Sequence, residues 1–209
     1  DLISKKFNLS KVDKFIQEIF WRTYWRGWLE LHPKVFDEYE KKIYKYEILN
    51  KTGIKCFDNW TDELIETGYL HNHARMWYAS IWIFTLKRPW EEGAHFFSDH
   101  LLDYCPASNT LGWRWVAGLQ TKGKNYLAKS ENIKKFTRNR YYPKDQLNEY
   151  ELPIEDKNNL NSIVKTKIPY KEILIDKLSK KNLGLVLTNN DLSLDKVIDS
   201  FNISNYDKK

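Results

Sequence analysis

Three short runs of this sequence combine side chains able to hold and edge a planar polar ligand. In the first, Glu18, Trp21, Arg22 and Trp25 follow one another at spacings of three, one and three residues. On a helix they place a carboxylate, two indoles and a guanidinium along one face. Taken alone, the run favours an amphipathic helix with a surface ion pair. The second run, His71-Asn72-His73-Ala74-Arg75-Met76-Trp77, opens a stretch that is otherwise apolar through Phe84. An arginine entering a buried helix is costly unless a carboxylate pairs with it, and Asp103 is the candidate partner. His71 and His73 point to different helix faces, and neither His95 nor His100 adds a ligand pattern, so no metal is expected. In the third run, Asp103 to Trp115, Asn109 and Trp113 stand one helical turn apart. Gly112 removes a side chain where a ligand approaches the backbone, and Trp115 faces another way. Such a run edges a ring system; by itself it reads equally as a glycine relieving helix packing beside two core indoles.

The elements that must position these residues belong to a soluble globular chain. Its 209 residues are 42% hydrophobic and 30% charged, enough for one sizeable core. Mean hydropathy is −0.67, with no apolar run of bilayer-spanning length, so no membrane partner is expected. Cys56 and Cys105 are too few for a disulfide framework and fit a reducing, cytoplasmic setting. The net charge of +6 favours a polyanionic partner such as nucleic acid, although Lys-rich solvated surfaces give the same figure. Nine tryptophans are unusual for this length, and composition alone favours a Trp-rich core over an aromatic ligand platform.

Periodicity predicts a helix from Val12 to Leu31 with both of its faces occupied, Phe15, Ile19 and Arg22 forming one stripe and Trp21, Trp25 and Trp28 the other. Pro33 is expected to end it. A turn at Lys51-Thr52-Gly53 introduces a helix with Phe57, Trp60, Leu64 and Ile65 on its apolar face, closed by Gly68. A long buried helix from about His71 to Leu86 follows, then one from Trp90 to Leu102, then one from Ala107 to Leu119 with Pro106 in its first turn. Strand signals are weak except at Leu183 to Leu187. After about Tyr142 the composition turns to Lys, Asn, Asp and Ile, which reads as a peripheral extension, residues 143–209, on a helical domain, residues 1–142.

Together and in this order, the three runs resemble the FAD-binding domain of the DNA photolyase/cryptochrome family, over roughly Val12 to Tyr142. The pattern consists of Glu-x-x-Trp-Arg, His-Asn-x-x-Arg-Met and Asp-x-x-x-Ala-x-Asn-x-x-x-Trp-x-Trp. The resemblance implies an all-α bundle whose central cavity holds FAD beneath a surface hole that accepts a flipped pyrimidine dimer of DNA. It implies that Arg75 and Asp103 form the ion pair beside the flavin, that Asn109 faces flavin N5, and that Arg22 lies near the cofactor phosphates. Trp113 becomes the proximal and Trp90 the middle tryptophan of an electron relay, whose distal member is left among Tyr39, Tyr44 and Tyr46. Glu18, Trp21, Asn72, Met76 and Trp115 take positions lining the dimer-binding hole. Trp21 and Trp115 would stack on the dimer, and Glu18 would hydrogen-bond its base edge. Cys105 departs from the family, standing where an aspartate usually contacts the flavin pyrimidine edge. Arg114 stands where repair enzymes often carry Gln. An α/β antenna domain and a phosphate-clamping Thr/Ser-rich loop are expected before Asp1. Light-dependent repair of cyclobutane dimers is the leading expectation. The alternatives are a cryptochrome-type photoreceptor and a cofactor-free nucleic-acid-binding or scaffold domain.

Overall fold

The computed structural model describes residues 6, 8–42 and 46–155, and within them every regular element is a helix. All lie in one compact unit. The first helix, α1 (Leu9–Leu31), starts where the Asn8 side chain accepts a hydrogen bond from the Ser10 amide at 3.2 Å. It ends at His32, whose ring stacks on Trp28 at 3.8 Å while Nδ1 lies 2.7 Å from the Trp28 carbonyl oxygen.

Pro33 does more than end α1. It opens a second helix, α2 (Pro33–Lys41), where a missing N–H costs nothing because the first helical amides have no intrahelical partner. The stretch after Pro33 therefore carries a helix, with Val35 and Tyr39 turned into the core. The expected turn before α3 (Lys55–Thr67) is clasped by Asp58, which accepts from the Thr52 amide and hydroxyl at 2.9 and 2.7 Å and from the Gly53 amide at 3.2 Å. Gly68 closes α3 at φ 67, a conformation that favours glycine. Phe57, Trp60 and Leu64 are buried on α3, but Ile65 is not: it is 42% exposed, because the apolar stripe is narrower than sequence spacing implied.

The expected helix from His71 to Leu86 is present in two parts. α4 (Asn72–Ser80) runs into a π-helical turn, Ile81–Thr85, closed by the Leu86 amide donating to Ile81 at 2.9 Å. α5 (Trp90–His100) begins with Glu91 and Glu92 and ends with His100, an order matching the helix dipole. α6 (Pro106–Ala117) starts on a proline and stops at Gly118 with φ 87. A further helix not anticipated from the sequence, α7 (Ser130–Phe136), has its first amide bonded to Glu149 at 2.8 Å. Residues beyond it return to the bundle, where the Ile154 amide donates to Ala117 at 2.9 Å and Pro153 lies over Gly118. The strand expected at Leu183 to Leu187 lies outside the described residues.

The core is aromatic. Phe57, Tyr78, Trp82 and Phe96 are fully buried, with Phe57 stacked on Tyr78 at 4.2 Å and Trp82 parallel to Phe96 at 6.3 Å. Each such side chain is worth about 1.5–3 kcal/mol of burial, so this cluster fixes how α3, α4 and α5 lie against one another. α6 packs against α1, α4 and α5 and is the element on which the site is built. The outward face of α1 departs from expectation: Phe20 is 68% exposed, and Phe15, Ile19 and Tyr24 are also exposed.

Candidate functional site

A cavity of about 270 Å³ opens between α1, α4 and α6. From α1 come Glu18, Trp21, Arg22 and Trp25, the face drawn by their helical spacing. From α4 come Asn72, Arg75, Met76 and Ala79, which recur every three or four residues and so share one side of that helix. α6 and the turn before it supply Asp103, Cys105, Asn109, Gly112, Trp113 and Trp115. The three runs are far apart in the chain, and the packing of α6 on both other helices brings them to one place.

The cation of α4 has its carboxylate. Arg75 Nη2 lies 3.0 Å from both oxygens of Asp103, and its Nε donates to the Leu70 carbonyl at 2.7 Å. The Arg75 side chain is 23% exposed and that of Asp103 58%, so the pair forms a rim of the cavity rather than a buried bridge. Asn109 is buried and donates one Nδ2 hydrogen to the Ala94 carbonyl at 2.9 Å, which leaves its oxygen and its second N–H to offer a ligand. Trp113 is 2% exposed and held edge-on by Phe97 at 5.1 Å and by Trp82 at 6.3 Å. Its indole Nε1 is buried without a hydrogen-bond partner, unusual for a donor at a cavity wall. Trp115 stacks on Tyr126 at 5.5 Å, and Trp21 meets Trp25 at 5.8 Å.

Cys105 sits in the N-cap position of α6. Burial pushes its thiol up, but hydrogen bonds from the Ser108 amide and hydroxyl and the charge of Arg22 outweigh that, and the net effect is a lowered pKa. Trp90 does not line the cavity. It is buried behind it, with the Arg114 guanidinium 6.0 Å from its ring centroid and Tyr39 stacked on it at 5.6 Å. Of the three tyrosines considered beside Trp90, Tyr39 is this stacked neighbour. Tyr46 instead donates to Asp99 at 2.5 Å, and Tyr44 lies outside the described residues. Phe97, Tyr104 and Ser108 also line the cavity and were not anticipated. Ser108 was legible as a neighbour of Cys105 in the first turn of α6; Phe97 carried no signal beyond being apolar.

Residues 15–151 match the model of the FAD binding domain of DNA photolyase. The chain belongs to this family. The family indicates FAD as the cofactor. A deoxyribodipyrimidine photo-lyase of Agrobacterium fabrum is 31% identical over 128 residues, 56% of this chain and 27% of that protein. One from Streptomyces griseus is 32% identical over 122 residues, 52% of this chain and 26% of its own length. Cryptochrome-1 of Arabidopsis thaliana is 34% identical over 92 residues, 44% of this chain and 13% of that protein. The matched region thus spans about a quarter of the photo-lyases it resembles.

The cavity suits a flavin on its own chemistry. It has aromatic walls, an oxygen acceptor at Asn109, an unpaired indole donor at Trp113 and an ion pair at its rim. A Cβ added to Gly112 would meet no atom within 4 Å, so the α6 backbone there faces open space. Among the described residues, no three His, Cys, Asp or Glu side chains gather as a metal site, and no helix is long and apolar enough to cross a membrane.

Proposed function

We propose that this protein uses FAD to repair cyclobutane pyrimidine dimers in DNA under light. The observation that carries the reading is the convergence of three distant runs on one cavity, with the Arg75–Asp103 pair at its rim. When bound, FAD supplies light-driven one-electron chemistry. Asn109 and Cys105 meet the edge of the ring, Arg75 and Asp103 hold charge beside it, and Arg22 lies toward the phosphates. Trp113 passes an electron inward from Trp90, on which Tyr39 is stacked. Toward the opening, Trp21 and Trp115 stack on an extruded dimer, Glu18 accepts a hydrogen bond from its base edge, and Asn72 and Met76 complete the hole.

A second reading is favoured by Cys105. Where a carboxylate would hold a flavin NH, a thiol is a weaker partner, which accords better with a cryptochrome-type photoreceptor lacking repair activity. One experiment separates the two. Trp21→Ala should weaken binding to dimer-containing DNA by about 1–3 kcal/mol, the worth of a base–aromatic stack, and leave undamaged DNA nearly unaffected, because that attraction is electrostatic. Binding is measured at fixed salt, followed by illumination. Equal affinity for damaged and undamaged DNA with no light-driven loss of dimer would reject repair and leave the photoreceptor.

A further inference from the structure

Beside Phe97, the tryptophan that contacts Trp113 edge to face is Trp82, not Trp90. The two centroids lie 6.3 Å apart with planes at 86°. Trp82 is fully buried, its Nε1 donates to the Pro89 carbonyl at 2.9 Å, and its ring is flanked by Phe96, Phe57 and Tyr78. The indole adds an oxidisable, polarisable ring against the buried tryptophan that borders the cavity.

We propose that Trp82 is a second electron donor to Trp113, so that the relay branches inside the core. The proposal rests on the flavin reading of the cavity. Trp113, once oxidised by light-excited FAD, takes one electron from Trp82 and returns to neutral indole, leaving the radical cation on Trp82. No bond is made or broken. The Trp82 proton stays on Nε1, because its partner is an amide carbonyl, which is not a base. The charge goes no further than Trp82. Tyr78 lies 6.1 Å away, but its hydroxyl is bonded to Thr61 at 3.0 Å, and an alcohol cannot take the phenolic proton that tyrosine oxidation releases. Trp82 is therefore a reversible store that can only return its charge through Trp113, whereas Trp90 has Tyr39 stacked on it at 5.6 Å. The Arg88 guanidinium, 5.9 Å from the Trp82 centroid and paired with Glu92 at 2.8 Å, opposes positive charge on the ring and keeps the store shallow.

The test is flash excitation of the FAD-loaded protein, reading the transient absorption of the tryptophan radical cation. In W90F a radical that outlives the one on Trp113 should persist, and in W90F/W82F only the short-lived Trp113 radical should remain. Trp82 is deep in the core, so R88Q on the W90F background provides a milder variant: removing the cation should lengthen the radical's lifetime. Without flavin, W82F should remove the near-ultraviolet circular dichroism contributed by the Trp82–Trp113 contact. A W90F radical that decays as fast as that of W90F/W82F, an unchanged lifetime in R88Q, or unchanged dichroism of the flavin-free W82F protein would each overturn the branch while leaving the cavity's assignment intact. A wild-type protein that takes up no FAD would overturn both.

Discussion

Gly112→Ala separates what the bundle needs from what the cavity is for. Gly112 lies inside α6 and borders the cavity, and a Cβ built on it meets no atom within 4 Å. Glycine inside a helix is about 0.8–1.0 kcal/mol less favourable than alanine. With no clash to offset that gain, the flavin-free variant should be more stable than wild type by about 0.5–1 kcal/mol in urea unfolding. The new methyl, however, occupies the space through which a ring approaches the α6 backbone. Crowding a fitted site by one methyl costs about 1–3 kcal/mol, so FAD affinity should fall roughly tenfold to a hundredfold. Flavin-dependent stabilisation should shrink accordingly, since it follows the dissociation constant. Both are read on one preparation, by urea titration without FAD and by fluorescence titration with it. A stabilised variant that binds FAD as tightly as wild type would show that nothing approaches Gly112. A destabilised flavin-free variant would show that the space beside it is not open.

Gly93→Ala should behave oppositely, because a Cβ there would lie 2.2 Å from the Trp113 ring, which Phe97 and Trp82 hold edge-on. The helix-propensity gain of about 1 kcal/mol is outweighed by the cost of moving a packed indole, and thermal unfolding should report net destabilisation. Glu149 accepts from the Ser130 hydroxyl and amide, and these bonds hold its carboxyl below the usual glutamate range. Because the folded-state value is depressed, its contribution is present above the unfolded value and is lost as pH falls through the folded one. Glu149→Ala should thus cost about 0.5–2 kcal/mol near neutrality, as a lost helix cap does, and the gap to wild type should close in acid; a gap independent of pH would refute the charged cap.

Much of the site was legible because its residues stand on regular helices. Spacing put Glu18, Trp21, Arg22 and Trp25 on one face, and the cost of an unpaired guanidinium pointed from Arg75 to Asp103 before any fold was known. What spacing could not show was the third dimension. Trp82 reads as one more apolar residue on a buried helix, and only the packing of α4 against α6 brings it to Trp113. Pro33 was read only as a stop, whereas proline both ends and starts helices, and with Val35 and Tyr39 buried beyond it here it does both. Helix α7 was missed because its seven residues carry three charged side chains around Ile133 and its cap comes from Glu149, nineteen residues away.

The exposed side of α1 has a kinetic consequence. This helix supplies one wall of the cavity, yet Phe15, Ile19, Phe20 and Tyr24 on its outer face bury little against the described residues. The opposite walls, α4 and α6, are anchored in the aromatic core. No described side chain of α1 belongs to that core, so opening by lifting α1 leaves the aromatic cluster intact and draws on the least stable part of the bundle. Entry and residence time of anything held there are then set by how often one helix detaches, and residues on its outer face govern those rates without touching the ligand.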